Sequence, residues 1–427
     1  MSRGASPVTI VLAAVFLAGF YLHADLTLAP GLKVPAVGAL AGGGGLLALH
    51  VGRLRHGDLL FAGSWVAIAL ASLALNPALW GGTMWRDHGG EYATSMLVFA
   101  ASLAMAFGVW TALRLWSADA LARMAAICLA LILAGVVAER FLGLDTLSEA
   151  VRSALYAEDL TYAADLRDRL IYGSIRPKLF TSEPSHIAKF FVLMVLVWYA
   201  TSRSPWRVPW LYAWLAGGVL LVQSPSVLIA LPAAWMADIC RHRSALGWLV
   251  AIGGILLVTP LVLILGDSAF SGRMEHIASG QDTSFLIRFV LPFEVLARVW
   301  SDYPLFGLGF GAKESGIPYT IAAAQDLGLD VAVLLTTTSP LGNNGLAIGL
   351  IQLGVVGSLA FIASLVAFWR FACGGFWPFV AIGMLCYLLL IGGVNDPRFW
   401  GGFALLTAAG AVAQSARRLP HPASVPA

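Results

Sequence analysis

Four ionisable side chains stand at the beginning of one of the most apolar segments of the chain. Arg176, Lys178, Glu183 and His186 lie within "RPKLFTSEPSH", directly before an apolar run that continues to Ala200. Arginine and lysine bind anions such as phosphate, and a carboxylate or an imidazole can accept a proton from a hydroxyl group. The pattern therefore indicates a site for a negatively charged substrate, with Glu183 or His186 available for proton transfer.

The stretch "TSEPSHIAKFF" predicts that a helix begins here. Pro184 suits the first turn of a helix, and Thr181 or Ser182 is the expected capping residue. The free N–H groups and the dipole at this end favour an anion. A simpler interpretation is that Glu183 only complements the dipole and that His186 lies in the interfacial region of a membrane.

A second group of cations lies further along the chain. Arg288 is inserted in an apolar stretch and has no acidic residue three or four positions away, so we expect it to face a polar cavity. Its planar guanidinium can bind phosphate through two parallel hydrogen bonds. Arg273 and Arg298 are further candidates for the same anion. The alternatives are that Arg288 extends to lipid head groups and that Arg298 pairs with Glu294 on one helix face.

Two asparagines precede the apolar segment that begins near residue 345. Asn343 and Asn344 are expected either to cap this helix or to bind sugar hydroxyls or phosphate. In "GGVNDPRFWGG", Asp396 and Arg398 are expected to form one ion pair in a turn.

The composition predicts the scaffold that positions these residues. The chain has 427 residues, is 59% hydrophobic and 11% charged, and has a mean hydropathy of +0.82. Soluble proteins carry about 25% charged residues. Recurring apolar runs predict an all-α integral membrane protein with about twelve transmembrane helices. The predicted spans are 8–28, 34–51, 58–76, 92–113, 119–138, 184–201, 208–223, 224–240, 245–266, 343–368, 376–394 and 398–416.

The distribution of basic residues predicts the orientation, because Lys and Arg near the spans resist translocation. With the N-terminus inside, the short outer loops carry only Lys33, Arg86 and Arg398. The inner segments carry many more, namely Arg3, Arg53, Arg55, Arg114, Arg123, Arg203, Arg207, Arg241, Arg243, Arg370, Arg417 and Arg418.

Both termini are therefore expected in the cytoplasm, and two long loops, 139–183 and 267–342, face outward. They divide the membrane region into 1–138, 184–266 and 343–416, followed by a cytoplasmic tail at 417–427. In the first loop, Leu147, Val151 and Leu155 recur at helical spacing and predict an amphipathic helix on the membrane surface.

The order of these motifs resembles the O-antigen ligase and polymerase superfamily of bacterial envelopes. The segment "RPKLFTSEPSHIAKFF" is similar to a polymerase segment in which an Arg precedes a Phe-x-x-Glu-Pro-Ser helix start. "SFLIRFVLPFEVLARVWSDYPLFGLGFG" is similar to the second outer loop of the superfamily, and Arg298 and Gly309 fit its Arg-x10-Gly spacing. Ligases of the superfamily typically carry His-Asn where this chain has Asn343-Asn344, so the resemblance favours a Wzy-type polymerase.

The resemblance implies a fold and an activity. The fold would be a GT-C-like helical bundle with two large periplasmic loops, in the bacterial inner membrane. The protein would polymerise undecaprenyl-pyrophosphate-linked oligosaccharides on the periplasmic side, without a metal or other cofactor. Its partners would be that substrate, membrane lipid and a chain-length regulator, and not nucleic acid.

The residues permit such a mechanism, because a sugar on a lipid pyrophosphate already carries a good leaving group. Catalysis then requires cations that hold the pyrophosphate and a base that deprotonates the attacking hydroxyl. Arg288 and Arg176 are the first choices as cations, followed by Arg273, Arg298 and Lys178. Glu183 is the first choice as base.

Two other functions compete with polymerisation. A ligase would move finished glycan onto lipid A core or another acceptor. A flippase or transporter of lipid-linked sugar would place charge along a membrane-spanning cavity, and often shows inverted repeats. In this chain the charge concentrates in two outward loops instead.

Overall fold

The computed structural model describes residues 6–29, 32–76, 84–156, 168–169, 175–242, 282–332, 334, 341 and 344–418. The predicted site residues Arg273 and Asn343 and the predicted span 245–266 lie outside the described residues.

Helices form nearly all of the described chain. In chain order they are α1 (Pro7–Leu22), α2 (Val37–His50), α3 (His56–Ala74), α4 (Met84–Leu113), α5 (Ala118–Phe141), α6 (Leu144–Leu155), α7 (Pro184–Thr201), α8 (Arg207–Leu220), α9 (Ala230–His242), α10 (Leu291–Asp302), α11 (Ile317–Asp326), α12 (Gly345–Cys373), α13 (Trp377–Leu388) and α14 (Pro397–Arg418). A helical turn at Thr283–Phe285 and a π-helical segment at Leu286–Val290 lead into α10. Short 3₁₀ helices lie at Val51–Arg53, Pro225–Ile229, Glu314–Gly316 and Gly374–Phe376.

The prediction of a helical membrane protein is confirmed. Within the described residues, five segments are helical, long and apolar enough to cross a membrane. They are His56–Ala74, Gly89–Leu113, Ala118–Phe141, Pro184–Thr201 and Gly345–Leu388. Every predicted span that falls in the described part of the chain contains a helix.

The first helix is shorter than predicted. It ends at Leu22 because His23 adopts a left-handed conformation, with φ 51° and ψ 40°. The chain then forms a small antiparallel ribbon of β1 (Leu26–Ala29) and β2 (Leu32–Val34). The Asp25 carboxylate closes this ribbon by accepting a hydrogen bond from the Ala36 N–H at 3.2 Å.

Helix α7 lies at the centre of the bundle. It packs against α5, α9 and α14, and from Ile187 to Thr201 every residue except Lys189 is buried. Its apolar sequence is therefore explained by contact with other helices rather than with lipid alone. Lys189 lies one turn inside this buried helix.

The glycine-rich loop at 304–312 interrupts α12. Gly354 has φ 63° and ψ −170°, which breaks the helix, and the loop supplies the missing partners. Val355 N–H donates to the Pro304 carbonyl at 2.9 Å, and Leu308 N–H donates to the Ile351 carbonyl at 2.9 Å. A Cβ at Gly307 would lie 2.1 Å from the Ile351 oxygen, so only glycine permits this approach.

Three side chains hold the same loop from the other side: Ser72 of α3, Asn76 just after α3 and Tyr92 of α4. Asn76 Nδ2 donates to the Gly307 carbonyl at 2.8 Å, and Tyr92 Oη donates to the Leu308 carbonyl at 3.0 Å. Phe310 N–H donates to Ser72 Oγ at 3.1 Å. Non-helical backbone at membrane depth is tolerated only where the protein satisfies it, as here.

Candidate functional site

Four helix ends converge at one end of the bundle. They are the C-terminal end of α1 and the N-terminal ends of α7, α12 and α14. His23, His186 and Arg398 meet there, and Asn344 at the start of α12 contacts the Arg288 carbonyl. Three helix N-termini at one place favour a negative charge, because each carries partial positive charge. We call the ionisable residues of this region, His23, Glu183, His186, Lys189, Arg288, Asp396 and Arg398, the ionic cluster.

Glu183 is the residue that precedes the first turn of α7. Its side chain makes no capping hydrogen bond and instead accepts one from Ser185 Oγ at 2.7 Å. Burial raises the pKa of the Glu183 carboxyl, but the neighbouring charges, among them Lys189 and Arg288, lower it by more, so the pKa lies below its ordinary value. Glu183 is therefore an ionised carboxylate that faces cations.

The prediction that Thr181 or Ser182 caps α7 is wrong. Thr181 Oγ1 donates to the carbonyls of Lys178 and Glu183, at 2.6 and 2.8 Å. Ser182 Oγ lies 3.2 Å from Nδ1 of His186. The helix begins at Pro184 with Glu183 in the N-cap position, so Thr181 and Ser182 lie too early in the chain to cap it.

His186 is held through both ring nitrogens. Its Nε2 lies 3.3 Å from Nη1 of Arg398, which can only donate, so Nε2 is the acceptor. The ring proton then lies on Nδ1, where it can donate to Ser182 Oγ. The geometry thus fixes a neutral imidazole in one tautomer and one orientation.

The predicted ion pair between Asp396 and Arg398 is confirmed. Arg398 Nη2 and Nε lie 2.7 and 3.0 Å from Asp396 Oδ2, and the Arg398 N–H donates to Oδ1 at 2.8 Å. This pairing holds the guanidinium against His186. His23 lies on the other side, with its ring centroid 6.2 Å from that of His186. Burial and, next, Arg398 lower the pKa of His23, which keeps this imidazole neutral.

Lys189 adds a third cation to the cluster. It lines a narrow cavity with His23, His186 and Arg398, and it interacts electrostatically with Glu183. Lys189, Arg288 and Arg398 thus face two carboxylates, Glu183 and Asp396. Together with the positive ends of three helices, these cations form a region that can accept an anion.

Arg288 lies in the π-helical segment Leu286–Val290 that precedes α10. Single-turn π-helices are frequent at functional sites. Asn344 Nδ2 donates to the Arg288 carbonyl at 3.2 Å, while Asn344 Oδ1 accepts from Leu346 N–H and Ala347 N–H. Asn344 therefore caps α12, as one of the two interpretations expected, and also ties that helix to the segment that carries Arg288.

A strained turn carries the chain into Glu183. Leu179 and Phe180 have φ values of 36° and 66°, which are unfavourable for side chains with a Cβ. The Glu139 carboxylate accepts from Lys178 N–H at 3.1 Å and Leu179 N–H at 2.7 Å. Such strain persists only where the surroundings impose it, and it clusters at functional sites.

Helix α6 holds the next residues of the turn. The fully buried Arg152 donates from Nε to the Thr181 carbonyl at 2.8 Å and from Nη2 to the Ser182 carbonyl at 3.2 Å. The apolar face of α6 points outward, since Leu147 is 54% exposed. The predicted amphipathic helix is present, with its polar face positioning the turn and its apolar face free to enter a membrane surface.

The remaining predicted site residues lie apart from the ionic cluster or face other partners. Arg176 Nε lies 3.0 Å from Oδ1 of the buried Asp168. Arg298 pairs with Asp326 on α11 rather than with Glu294. Lys178 contributes its backbone to the strained turn.

Lys189, and the use of Arg398 to hold His186, are the features that sequence reasoning missed. A usable signal was present, because a lysine one turn inside an apolar helix is costly unless it faces a partner or a polar cavity. The spacing of three between His186 and Lys189 also places both on one face of α7.

Within the described part of the chain, His, Cys, Asp and Glu side chains form no group of three or more that could hold a metal ion.

Neither a scan against protein-family models nor a search of curated proteins finds a match to this chain.

Proposed function

We propose that the protein is a membrane glycosyltransferase that polymerises undecaprenyl-pyrophosphate-linked oligosaccharides at the periplasmic face of the bacterial inner membrane. The observation that carries this proposal is the ionic cluster, in which three cations and two carboxylates meet at the end of a helical membrane bundle. Cationic side chains beside helix N-termini are a common binding site for phosphate groups. The proposal also rests on the motifs that resemble the Wzy-type polymerases.

The reaction transfers a glycosyl group between two lipid-linked molecules. The hydroxyl oxygen of the acceptor sugar attacks the anomeric carbon of the donor. The bond from that carbon to the pyrophosphate oxygen breaks, and undecaprenyl pyrophosphate leaves with the bonding electron pair. Arg288 and Lys189 stabilise the charge on the leaving group, and Glu183 takes the hydroxyl proton.

Substrate binding prepares Glu183 for this role. In the free protein, the neighbouring cations hold the pKa of its carboxyl below the ordinary value, which makes it a weak base. A bound pyrophosphate neutralises Lys189 and Arg288, so the pKa rises towards the working pH. A base is most effective when its pKa lies near that pH.

His186 takes a positioning role in this proposal. Its acceptor nitrogen already faces Arg398, so it orients that guanidinium and is not the first base. Arg176, which is paired with Asp168, and Arg298, which is paired with Asp326, remain outside the proposed reaction centre.

Reconstitution of the purified full chain in liposomes tests the proposal. Donor molecules that carry one repeat unit on polyprenyl pyrophosphate should yield a ladder of polymer lengths on a gel. A repeat unit on polyprenyl monophosphate is the matched control and should yield none. Movement of the donor between leaflets without any ladder would overturn the proposal in favour of a transporter.

A deletion strain distinguishes the polymerase from a ligase. Loss of a polymerase leaves a single repeat unit on the lipid A core, whereas loss of a ligase leaves the core without any repeat unit. The second result would move the function to ligation.

Cysteine labelling tests the orientation on a background in which the native cysteines have been replaced. Glu294→Cys, exposed on α10, should react with an impermeant thiol reagent applied from the periplasm, and Arg203→Cys should not. The reverse pattern would place the ionic cluster on the cytoplasmic side.

A further inference from the structure

A cavity of about 350 Å³, lined by both polar and apolar side chains, adjoins the ionic cluster. The ribbon after α1, helices α4 and α12, the end of the glycine-rich loop and the turn before α14 all contribute to its wall. The polar side chains that line it are His23, Asp25, Thr94, Ser95, Lys313, Gln352, Asn395, Asp396 and Arg398. Its volume falls within the range of small-molecule sites, roughly 300–1,000 Å³.

Several of these side chains have already used their donors, which leaves acceptors for a ligand. Thr94 Oγ1 donates to the Gly90 carbonyl at 2.8 Å, and Ser95 Oγ donates to the Gly311 carbonyl at 3.1 Å. A hydroxyl has one proton and two lone pairs, so both oxygens can still accept.

Gln352 gives the strongest indication of a ligand. Its Nε2 donates to the Ala312 carbonyl at 2.9 Å, and its Oε1 is buried without a hydrogen-bond partner among the described residues. The residue is only 1% exposed. Nδ1 of His23, which lines the same cavity, is also buried without a partner in the described part of the chain. Buried polar atoms are costly when they are unpaired.

The charges of the wall differ from those of the ionic cluster. Two carboxylates, Asp25 and Asp396, balance two cations, Lys313 and Arg398. An anion would meet the carboxylates, so this cavity does not suit a second phosphate. A neutral molecule with many hydroxyl groups suits it, because each hydroxyl can donate to Gln352, Thr94 or Ser95 and accept from a cation or an amide.

We propose that this cavity is a carbohydrate subsite that holds a neutral sugar ring beside the reacting pyrophosphate. The inference rests on the proposed function and adds to it the location of the sugar and the residues that recognise it. Arg398, Asp396 and His23 border both the cavity and the cluster, so a sugar in the cavity would place a hydroxyl or an anomeric carbon next to the bound leaving group.

Direct binding tests the subsite on the purified full chain in nanodiscs, with two separate probes. The first is the oligosaccharide repeat unit released by mild acid from the lipid-linked precursors of the source cells, and the second is inorganic pyrophosphate. Thr94→Val and Gln352→Met remove acceptors from the cavity. Thr111→Val is the matched control, since Thr111 lies on the same helix but does not line the cavity.

We expect each cavity variant to weaken binding of the oligosaccharide by about two- to tenfold, as for one lost hydrogen bond, and to leave pyrophosphate binding unchanged. Arg288→Ala should do the reverse, and Thr111→Val should match the wild type for both probes. Thermal unfolding of each variant shows that it is folded. Among the described residues the Thr94 hydroxyl bonds to the Gly90 carbonyl of its own helix, so Thr94→Val tests the cavity without disturbing the glycine-rich loop.

Two results would overturn the subsite. One is unchanged oligosaccharide binding in both cavity variants, and the other is loss of pyrophosphate binding in Thr94→Val. If the wild type still forms polymer in liposomes, such a failure leaves the proposed function standing. If the wild type forms no polymer but binds the oligosaccharide in a Thr94-dependent way, the proposed function fails and the carbohydrate site stands.

Discussion

Cations and carboxylates are paired differently at the two ends of the helical bundle. At the end opposite the ionic cluster, Arg114 Nη1 lies 3.0 Å from Oδ2 of the fully buried Asp58. Trp110 Nε1 and the Arg55 N–H also donate to this carboxylate. In the ionic cluster, three partly exposed cations, Lys189, Arg288 and Arg398, lie around the described carboxylates Glu183 and Asp396.

We infer from this difference that the pair of Asp58 and Arg114 stabilises the fold, whereas the ionic cluster binds a ligand. One cation matched to one carboxylate, with further donors to the carboxylate, satisfies a buried ion pair and requires nothing else. Asp238 near the end of α9 follows the same rule, because it accepts from Arg207 and Tyr199. In the ionic cluster, by contrast, Lys189, Arg288 and Arg398 are only partly buried and lie beside three helix N-termini, so this end of the bundle can accept an anion.

The largest effect is expected at Glu183. Glu183→Gln should lower the polymerisation rate by about 100- to 10,000-fold, the usual contribution of a general base. The amide keeps the hydrogen bond with Ser185 and the shape of the turn, so the protein should fold. The measurement is the initial rate of ladder formation in liposomes. Glu294→Gln, at an exposed position of α10, is the control. A ladder of wild-type intensity from Glu183→Gln would show that Glu183 has only a structural role.

The pH dependence of kcat and of kcat/KM also tests whether Glu183 is the base. The pKa of Glu183 is low in the free protein and rises when pyrophosphate neutralises Lys189 and Arg288. Since kcat/KM reports the free enzyme and kcat the loaded one, the acid limb of kcat should lie at higher pH than that of kcat/KM. Activity falls as the pH drops through each pKa, because a protonated carboxyl cannot accept the hydroxyl proton. Superimposed acid limbs would contradict the coupling.

At Arg288 we expect a loss of about 100- to 1,000-fold, comparable to the loss of one oxyanion donor. Arg288→Lys should be nearly as inactive as Arg288→Ala, because lysine keeps the charge but loses the planar fork. Protein in the membrane normalises the polymer ladder. A full ladder from Arg288→Lys would show that the residue extends to head groups and does not bind pyrophosphate.

Asp58→Asn should affect stability and not chemistry. Removing one partner of a buried ion pair costs about 3–5 kcal/mol, since the other charge remains buried without compensation. The free energy of unfolding in detergent measures this loss. Activity per folded molecule should remain at the wild-type level, and a specific loss of activity would break the distinction between the two ends.

Arg298→Ala should have the smallest effect. Its partner Asp326 is 70% exposed, and pairs of this kind contribute about 0–1 kcal/mol. The rate of polymerisation should change by less than about twofold on that basis. A large loss of activity would return Arg298 to the set of pyrophosphate-binding residues.

The sequence predicts the helices well because the apolar runs are long and repeated. It also predicts that Glu183 and His186 stand at the beginning of a helix, because proline and polar residues mark that start. The ion pair of Asp396 and Arg398 follows from their proximity in the chain. These features depend on neighbours within a few residues.

The features that were not predicted depend on contacts between distant segments. Glu139 holds the turn 39 residues later in the chain, and Arg398 reaches His186 across 212 residues. Ser182 does not cap α7 because the helix begins two residues later, with Glu183 in the N-cap position, and its hydroxyl lies beside His186 instead. The packing of α7 against α5 and α14 determines which partner each of these groups finds.

The break in α12 at Gly354 has a consequence for biogenesis. The broken helix cannot satisfy its backbone alone, and an unsatisfied N–H or carbonyl group in the hydrocarbon core costs several kcal/mol. Its partners, Pro304, Leu305 and Leu308, are translated earlier, and so are the side chains of Ser72, Asn76 and Tyr92 that hold them. Because of this chain order, the glycine-rich loop and the side chains that hold it have already been synthesised when α12 leaves the ribosome. In this sense earlier parts of the chain complete α12 at its break.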